Sequence, residues 1–193
     1  MIGTMNRRSI RRHLAQYSIF RKRKTTINHA FASAIAPVDD YDDEKVSAAL
    51  RLLGQDPGAD LLCIYCGLLA TTWDHLISLV ENSELRGYGH QIGNLVPCCR
   101  DCNSKKGAKD WKTYLREKVP NQSDFEAKRS LIADYLDRHA TLVNLNQAAE
   151  IMPDDWSRYC DIKKEVFRLM EEADTIAARL RGVVASKVEE ESS

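Results

Sequence analysis

The chain has 193 residues, 44% of them hydrophobic and 29% charged, and its formal net charge is zero. This is the make-up of a globular protein large enough to bury a core. No apolar run approaches the roughly 18 to 20 residues that span a bilayer. The N-terminus lacks the apolar core of a signal peptide, and four of the six cysteines fall in pairs at metal-knuckle spacing. A reducing, cytoplasmic setting without a disulfide framework or a membrane partner is therefore expected.

The zero net charge conceals a partition. Residues 1–38 form a basic arm with Arg7, Arg8, Arg11, Arg12, Arg21, Lys22, Arg23 and Lys24 and no acid. No period dominates there, so the arm is expected to be partly disordered when free, and its charge suits a phosphate backbone. Residues 39–60 read as a linker and a short helix. Acids cluster from Asp39 to Glu44, then Val46, Ala49, Leu50 and Leu53 recur at helical spacing until Gly54 and Pro57 end the segment.

Residues 61–118 hold the chemistry-bearing types. Cys63-Ile64-Tyr65-Cys66 opens this segment, and 70–79 reads as a strand. A polar, glycine-punctuated loop follows over 81–93, with Arg86, Tyr88 and His90. A second short strand spans 94–96 and stops at Pro97. Cys99-Arg100-Asp101-Cys102 then leads into a helix expected over 101–118, with Trp111, Tyr114 and Leu115 inward. Trp73 and Trp111 are both assigned to packing, and Cys98 and Cys160 to buried or helix-face positions.

Residues 119–193 read as a C-terminal helical region. One amphipathic helix runs through Phe125, Leu131, Ile132, Tyr135, Leu136 and Leu142. A second starts at Pro153, and its Tyr159, Ile162, Val166, Leu169, Ala173, Ile176, Leu180 and Val183 make a heptad seam. The seam suits either a homodimer or packing within one chain.

Two C-x₂-C pairs supply four thiolates, enough for one tetrahedral zinc at Cys63, Cys66, Cys99 and Cys102. Four sulfurs close the coordination shell, so such a zinc is structural, and chemistry has to come from the residues between and after the knuckles. Asp74-His75, Asn94 and Asn103 are types that activate water and hold a cation. Lys105, Lys106 and Lys109 lie near the second knuckle, spaced as a basic face toward phosphates, and Arg86 sits in the loop.

Taken in order, Asp74-His75, the variable loop, 94–97, the second knuckle and Asn103 followed by Lys105-Lys106-Gly107 resemble the HNH endonucleases of the zinc-knuckle kind, over about residues 61–112. The resemblance implies an α+β fold: a small ββα-metal module with four-cysteine zinc knuckles, embedded in a mostly α-helical chain. It implies that His75 is the general base, that Asn94 shapes the loop and orients the base, and that Asp74 and Asn103 hold the catalytic cation. Asn at the last motif position, where the family name has His, favours Mg²⁺ or Mn²⁺. The implied activity is hydrolysis of DNA, most simply duplex, as in a restriction or phage-defence nuclease. The competing reading is a zinc-knuckle nucleic-acid-binding protein that cuts nothing.

Overall fold

The computed structural model describes residues 7–191. A 3-10 turn (Arg7–Arg12) precedes α1 (Ile19–Ile35) and α2 (Asp43–Leu52). Strands β1 (Thr72–His75), β2 (Val80–Glu81), β3 (Glu84–Leu85) and β4 (Leu95–Cys98) follow. The rest is helical: α3 (Arg100–Lys106), α4 (Trp111–Lys118), α5 (Gln122–His139), α6 (Leu145–Ile151) and α7 (Pro153–Glu191). The class is mixed α+β, as expected. No helix among the described residues is long and apolar enough to cross a membrane.

Two compact units emerge. One combines the chain up to Ile27 with the chain from Pro153 on, and the other spans Asn28–Met152. In the first, Asp174 of α7 caps α1: its carboxylate accepts from Ile19 N at 2.6 Å, Phe20 N at 3.1 Å and Ser18 Oγ at 2.7 Å. An anion at the free N–H groups of a helix start is electrostatically favoured. Phe20 and Phe167 meet edge to face at 5.8 Å between ring centroids.

The second unit carries the candidate site. Strands β1 and β4 pair antiparallel, Asp74 opposite Val96 and His75 opposite Leu95. Two strands alone are marginal in water, so this ribbon depends on what covers it. Its core joins Ala49 of α2, Val96 of β4, Cys102 of α3, Trp111, Tyr114 and Leu115 of α4, and Ile132 and Tyr135 of α5. Local chemistry sets the starts of these helices. Asp42 accepts from Lys45 N, Asp110 from Thr113 N and Asn121 from Asp124 N, each near 3 Å, satisfying donors that the helix leaves free. The Tyr135 hydroxyl meets the carbonyls of Ile92 and Leu95, tying α5 to the entry of β4.

Several expectations change. The arm is not without order: α1 occupies its second half, because Ile27, Ala30, Phe31 and Ala34 follow the cations, with Asn28 and Ala32 buried. The arm's first six residues and the last two of the helical region lie outside the described residues. The strand expected over 70–79 is only Thr72–His75, since past His75 the backbone bonds to Asn94 instead of continuing a ladder. The helix expected over 101–118 is broken into α3 and α4 at Gly107, which sits at φ 49° and ψ −125°, a conformation open to glycine. Helix α5 ends at His139, leaving Leu142 exposed, and α6 is an element the sequence pattern does not announce. Trp111 is buried, but Trp73, also assigned to packing, is 46% exposed. Along α7 the seam residues Ile162, Leu169, Ile176, Leu180 and Val183 are exposed.

Candidate active site and metal centre

The two knuckles bring four sulfurs together at one end of the ribbon, where Thr72 at the start of β1 pairs with Cys98 at the end of β4. In the first, Gly67 at φ 74° lets the chain turn back, so that its N–H donates to Cys63 O at 2.8 Å. In the second, Cys99 is the cap of α3, its Sγ accepting from Cys102 N at 3.4 Å. The sulfurs of Cys63, Cys66, Cys99 and Cys102 all lie within 4.8 Å of one another, Cys66 and Cys99 at 3.7 Å, and none forms a disulfide. Four bonds of about 2.3 Å in a zinc tetrahedron set sulfurs about 3.8 Å apart. The cluster is thus positioned to bind a metal.

The surroundings favour the thiolate form that metal binding requires at Cys63, and oppose it at Cys66 and Cys102, where burial is the largest cause. Cys63 is held down to about 4, first by its hydrogen bond with Cys98 and also by backbone N–H groups of Cys99, Cys66 and Tyr65. Cys102 is pushed up to about 12, burial being the largest cause. The buried Tyr114 hydroxyl has no oxygen or nitrogen partner and stands against the Cys102 sulfur. Crowded thiols ringed by donors cannot all ionise unless a cation neutralises them. Cys98 is fully buried, and the metal-competent group forms without it.

The strand between the knuckles presents Asp74 and His75 to opposite faces, as alternation requires. Asp74 points inward and is 5% exposed. Its Oδ2 accepts from Tyr65 OH at 2.9 Å and lies 3.1 Å from Lys106 Nζ. Lys106 Nζ also donates to His75 O at 2.7 Å. Burial raises the Asp74 carboxyl above its ordinary value despite the lowering effects of Lys106 and Tyr65. Asn103, on the next residue of α3 after Cys102, donates Nδ2 to Trp73 O at 3.2 Å.

His75 is partly buried. Burial lowers it to about 4, with electrostatic effects of His90, Lys106 and His29 adding to it. Its Nε2 lies 3.1 Å from His90 Nδ1. Asn94 is completely buried and ties the two ends of the loop together. Its Oδ1 accepts from Ile77 N at 2.8 Å, and its Nδ2 donates to the carbonyls of Ile77 and Gly89, each at 3.0 Å.

Asn103 bonds to the carbonyl of Trp73, the residue before Asp74, and the Asp74 carboxylate is not left open. A carboxylate and an amide oxygen suit a hard cation. In this conformation, however, the Lys106 ammonium already occupies the Asp74 carboxylate. The expectation that Lys106 faces phosphates is corrected: its side chain is 0% exposed, because the buried Asp74 carboxylate needs a counter-charge. Lys105, Lys109 and Arg86 are at the surface, bridged to Asp101 at 3.7 Å, Glu117 at 2.9 Å and Glu81 at 3.3 Å. Sequence reasoning missed the contact of His90 with His75, which joins residues fifteen apart. The flanking Gly87 and Gly89 were its only sequence signal.

A short antiparallel ribbon and helix, fastened by a four-cysteine cluster and carrying Asp-His on the strand and Asn on the helix, define a small metal-binding α+β module. Residues 63–109 match the family model described as HNH endonuclease, and this stretch is an HNH domain. No curated protein and no solved structure matches the chain.

Proposed function

We propose that the chain is a metal-dependent DNA endonuclease in which His75 activates the attacking water. One observation carries the reading: within an HNH domain, a neutral, partly buried imidazole stands at the end of β1 beside Asp74 and opposite the helix that bears Asn103. A general base must be unprotonated at working pH and within reach of its water. The lowered value of His75 meets the first condition throughout the neutral range. His75 takes the proton from water, and the hydroxide attacks phosphorus in line with the leaving 3′ oxygen, whose bond to phosphorus breaks and which takes a proton from solvent. This leaves a 5′-phosphate and a 3′-hydroxyl.

Asp74 and Asn103 would hold the divalent cation, Mg²⁺ or Mn²⁺, whose contribution is to offset charge developing on the phosphate. For this, Lys106 has to withdraw from Asp74. The four cysteines would hold a structural zinc, which would fasten the segment before β1 to the start of α3. Exposed Arg21, Lys22, Arg23 and Lys24 on α1, together with Lys105, Lys109 and Arg86, supply positive charge for a phosphate backbone. The open seam of α7 would allow a homodimer and hence double-strand cutting.

The Lys106–Asp74 pair favours a second reading, in which the module binds nucleic acid and cuts nothing. Incubating purified, zinc-loaded protein with supercoiled plasmid and with single-stranded DNA in Mg²⁺ or Mn²⁺ separates the two. Cleavage that is abolished in His75→Ala, with zinc content and melting preserved, supports the endonuclease. Discrete fragments would mark a restriction-like enzyme, a smear a non-specific one. Binding without cleavage by the parent protein promotes the second reading.

A further inference from the structure

We propose that His90, which lies outside the ordered motif, is a positioning residue for His75. It fixes the ring and the proton of the base, so that Nδ1 of His75 is the atom that faces water. This rests on the reading of His75 as general base.

The observation is a nitrogen–nitrogen contact. His75 Nε2 and His90 Nδ1 are 3.1 Å apart, with the rings crossing at 68° and their centroids 5.0 Å apart. At that separation two lone pairs would repel, so one nitrogen must carry the proton between them. With the proton on His75 Nε2, the His75 Nδ1 lone pair is free, and that nitrogen has no protein partner among the described residues. An imidazole tethered through one nitrogen cannot swing, and its tautomer is set by the bond at that nitrogen.

The contact is held by more than two rotamers. The backbone of His90 is fastened on both sides, its N–H donating to Pro37 O at 2.9 Å and its carbonyl accepting from Asp39 N at 3.2 Å. Gly89 makes this approach possible, since a Cβ there would overlap the Pro37 carbonyl. Asp39 Oδ2 in turn accepts from Ile92 N at 2.8 Å. On the other side, the strand end after His75 is fixed to Asn94, whose carbonyl accepts from Leu76 N at 2.9 Å. The same Asn94 side chain holds Gly89 O, one residue before His90. One amide thus joins the supports of both rings, and the segment 37–39, far from the motif in sequence, becomes part of the catalytic framework.

The test compares the parent protein with His75→Ala, His90→Ala and His90→Asn, all zinc-loaded and checked for equal melting. Asn is chosen because its Oδ1 falls where His90 Nδ1 lies and can accept the same proton. Plasmid cleavage in Mn²⁺ should be abolished in His75→Ala. In His90→Ala, kcat should fall by about 10- to 100-fold, the order expected when a reacting group is misplaced, with KM within about twofold. His90→Asn should restore most of the loss. Long-range ¹H–¹⁵N spectra of the imidazoles, which need neither DNA nor a catalytic cation, should show His75 protonated at Nε2 in the parent and mixed tautomers in His90→Ala. If His75→Ala is inactive but His90→Ala keeps its kcat, the positioning role is overturned while the base stands. If His75 carries its proton on Nδ1 in the parent, the proposal fails irrespective of cleavage. If His75→Ala remains active, the reading of the base itself has failed, and the role of His90 with it.

Discussion

Replacing Lys106 with Met tests the reading that a buried ammonium stands in for the cation at Asp74. Met keeps roughly the length and volume of the lysine stem but removes the charge. The two charged atoms are 3.1 Å apart, and the side chains are 0% and 6% exposed, so solvent screens them little. At an effective dielectric near 20 their attraction is about 5 kcal/mol. Removing one partner of a buried pair typically costs about 3–5 kcal/mol, because the other charge is left uncompensated. Lys106→Met should therefore destabilise the fold by about that amount in urea unfolding followed by tryptophan fluorescence with zinc saturating. Lys106→Met with Asp74→Asn removes both charges and should recover at least half of the loss.

The link to function comes from adding Mg²⁺. If the cation takes the place of the ammonium, Mg²⁺ should stabilise Lys106→Met well beyond its effect on the parent, by about 2.7 kcal/mol at a hundredfold excess over its dissociation constant. A single variant within about 1 kcal/mol of the parent would refute the idea that the pair is a strongly coupled counter-charge. A double variant no more stable than Lys106→Met would refute it equally. Equal responses to Mg²⁺ in variant and parent would refute the substitution of one cation for the other.

Other outcomes follow from the same geometry. Cys99→Ser should lower zinc stoichiometry and unfold the module, since it removes a sulfur ligand while leaving a hydroxyl able to cap α3; normal zinc content and melting would contradict a structural site. Asn94→Ala should cost about 2–4 kcal/mol, because it strands Ile77 N and the carbonyls of Ile77 and Gly89 in a buried place, and cleavage should fall with it; a melting curve like that of the parent would argue against the clamp. His75, at about 4 when folded against 6.5 unfolded, takes up a proton more readily in the unfolded chain between these values. Its contribution to stability is therefore full above about 6.5 and is lost as pH falls toward 4. Comparing the pH dependence of unfolding in the parent and in His75→Ala isolates it. The acid limb of cleavage should likewise lie well below pH 6.5, and a limb at or above that value would contradict the lowered base.

Legibility in the sequence tracked locality. The C-x₂-C pairs are visible because the constraint on their spacing lies within four residues, and the helix start after the acids at 39–43 is equally local. Residues 63–66 and 99–102 thus appear in the structure as read, with the Cys98 side chain buried as expected. What escaped depends on partners distant along the chain. Lys106 looks like any lysine on a basic helix face until the fold sets it against Asp74, thirty-two residues away. His90 looks like a loop residue until Pro37 holds its backbone. The broken helix is signalled by Gly107, but composition on both sides favours continuity. In the arm, eight cations outweigh a modest apolar period, which hides α1.

Helix α3 explains why scaffold and chemistry are read from one stretch. Seven residues are too few to hold a helix in water without outside support, so its shape is imposed by the knuckle at its start. Within that one helix Cys102 and Lys106, four apart, lie on the same face and are both buried, while Asn103 reaches back to the Trp73 carbonyl. The inward face therefore engages the sulfur cluster at one end and Asp74 at the other. Any metal that orders the first end fixes the distance at which Lys106 meets the carboxylate. The Asp74–Lys106 pair is then linked to the cysteine cluster through about two turns of helix. The spacing from Cys99 to Lys106, rather than any one of its residues, therefore couples the sulfur cluster to the Asp74 carboxylate.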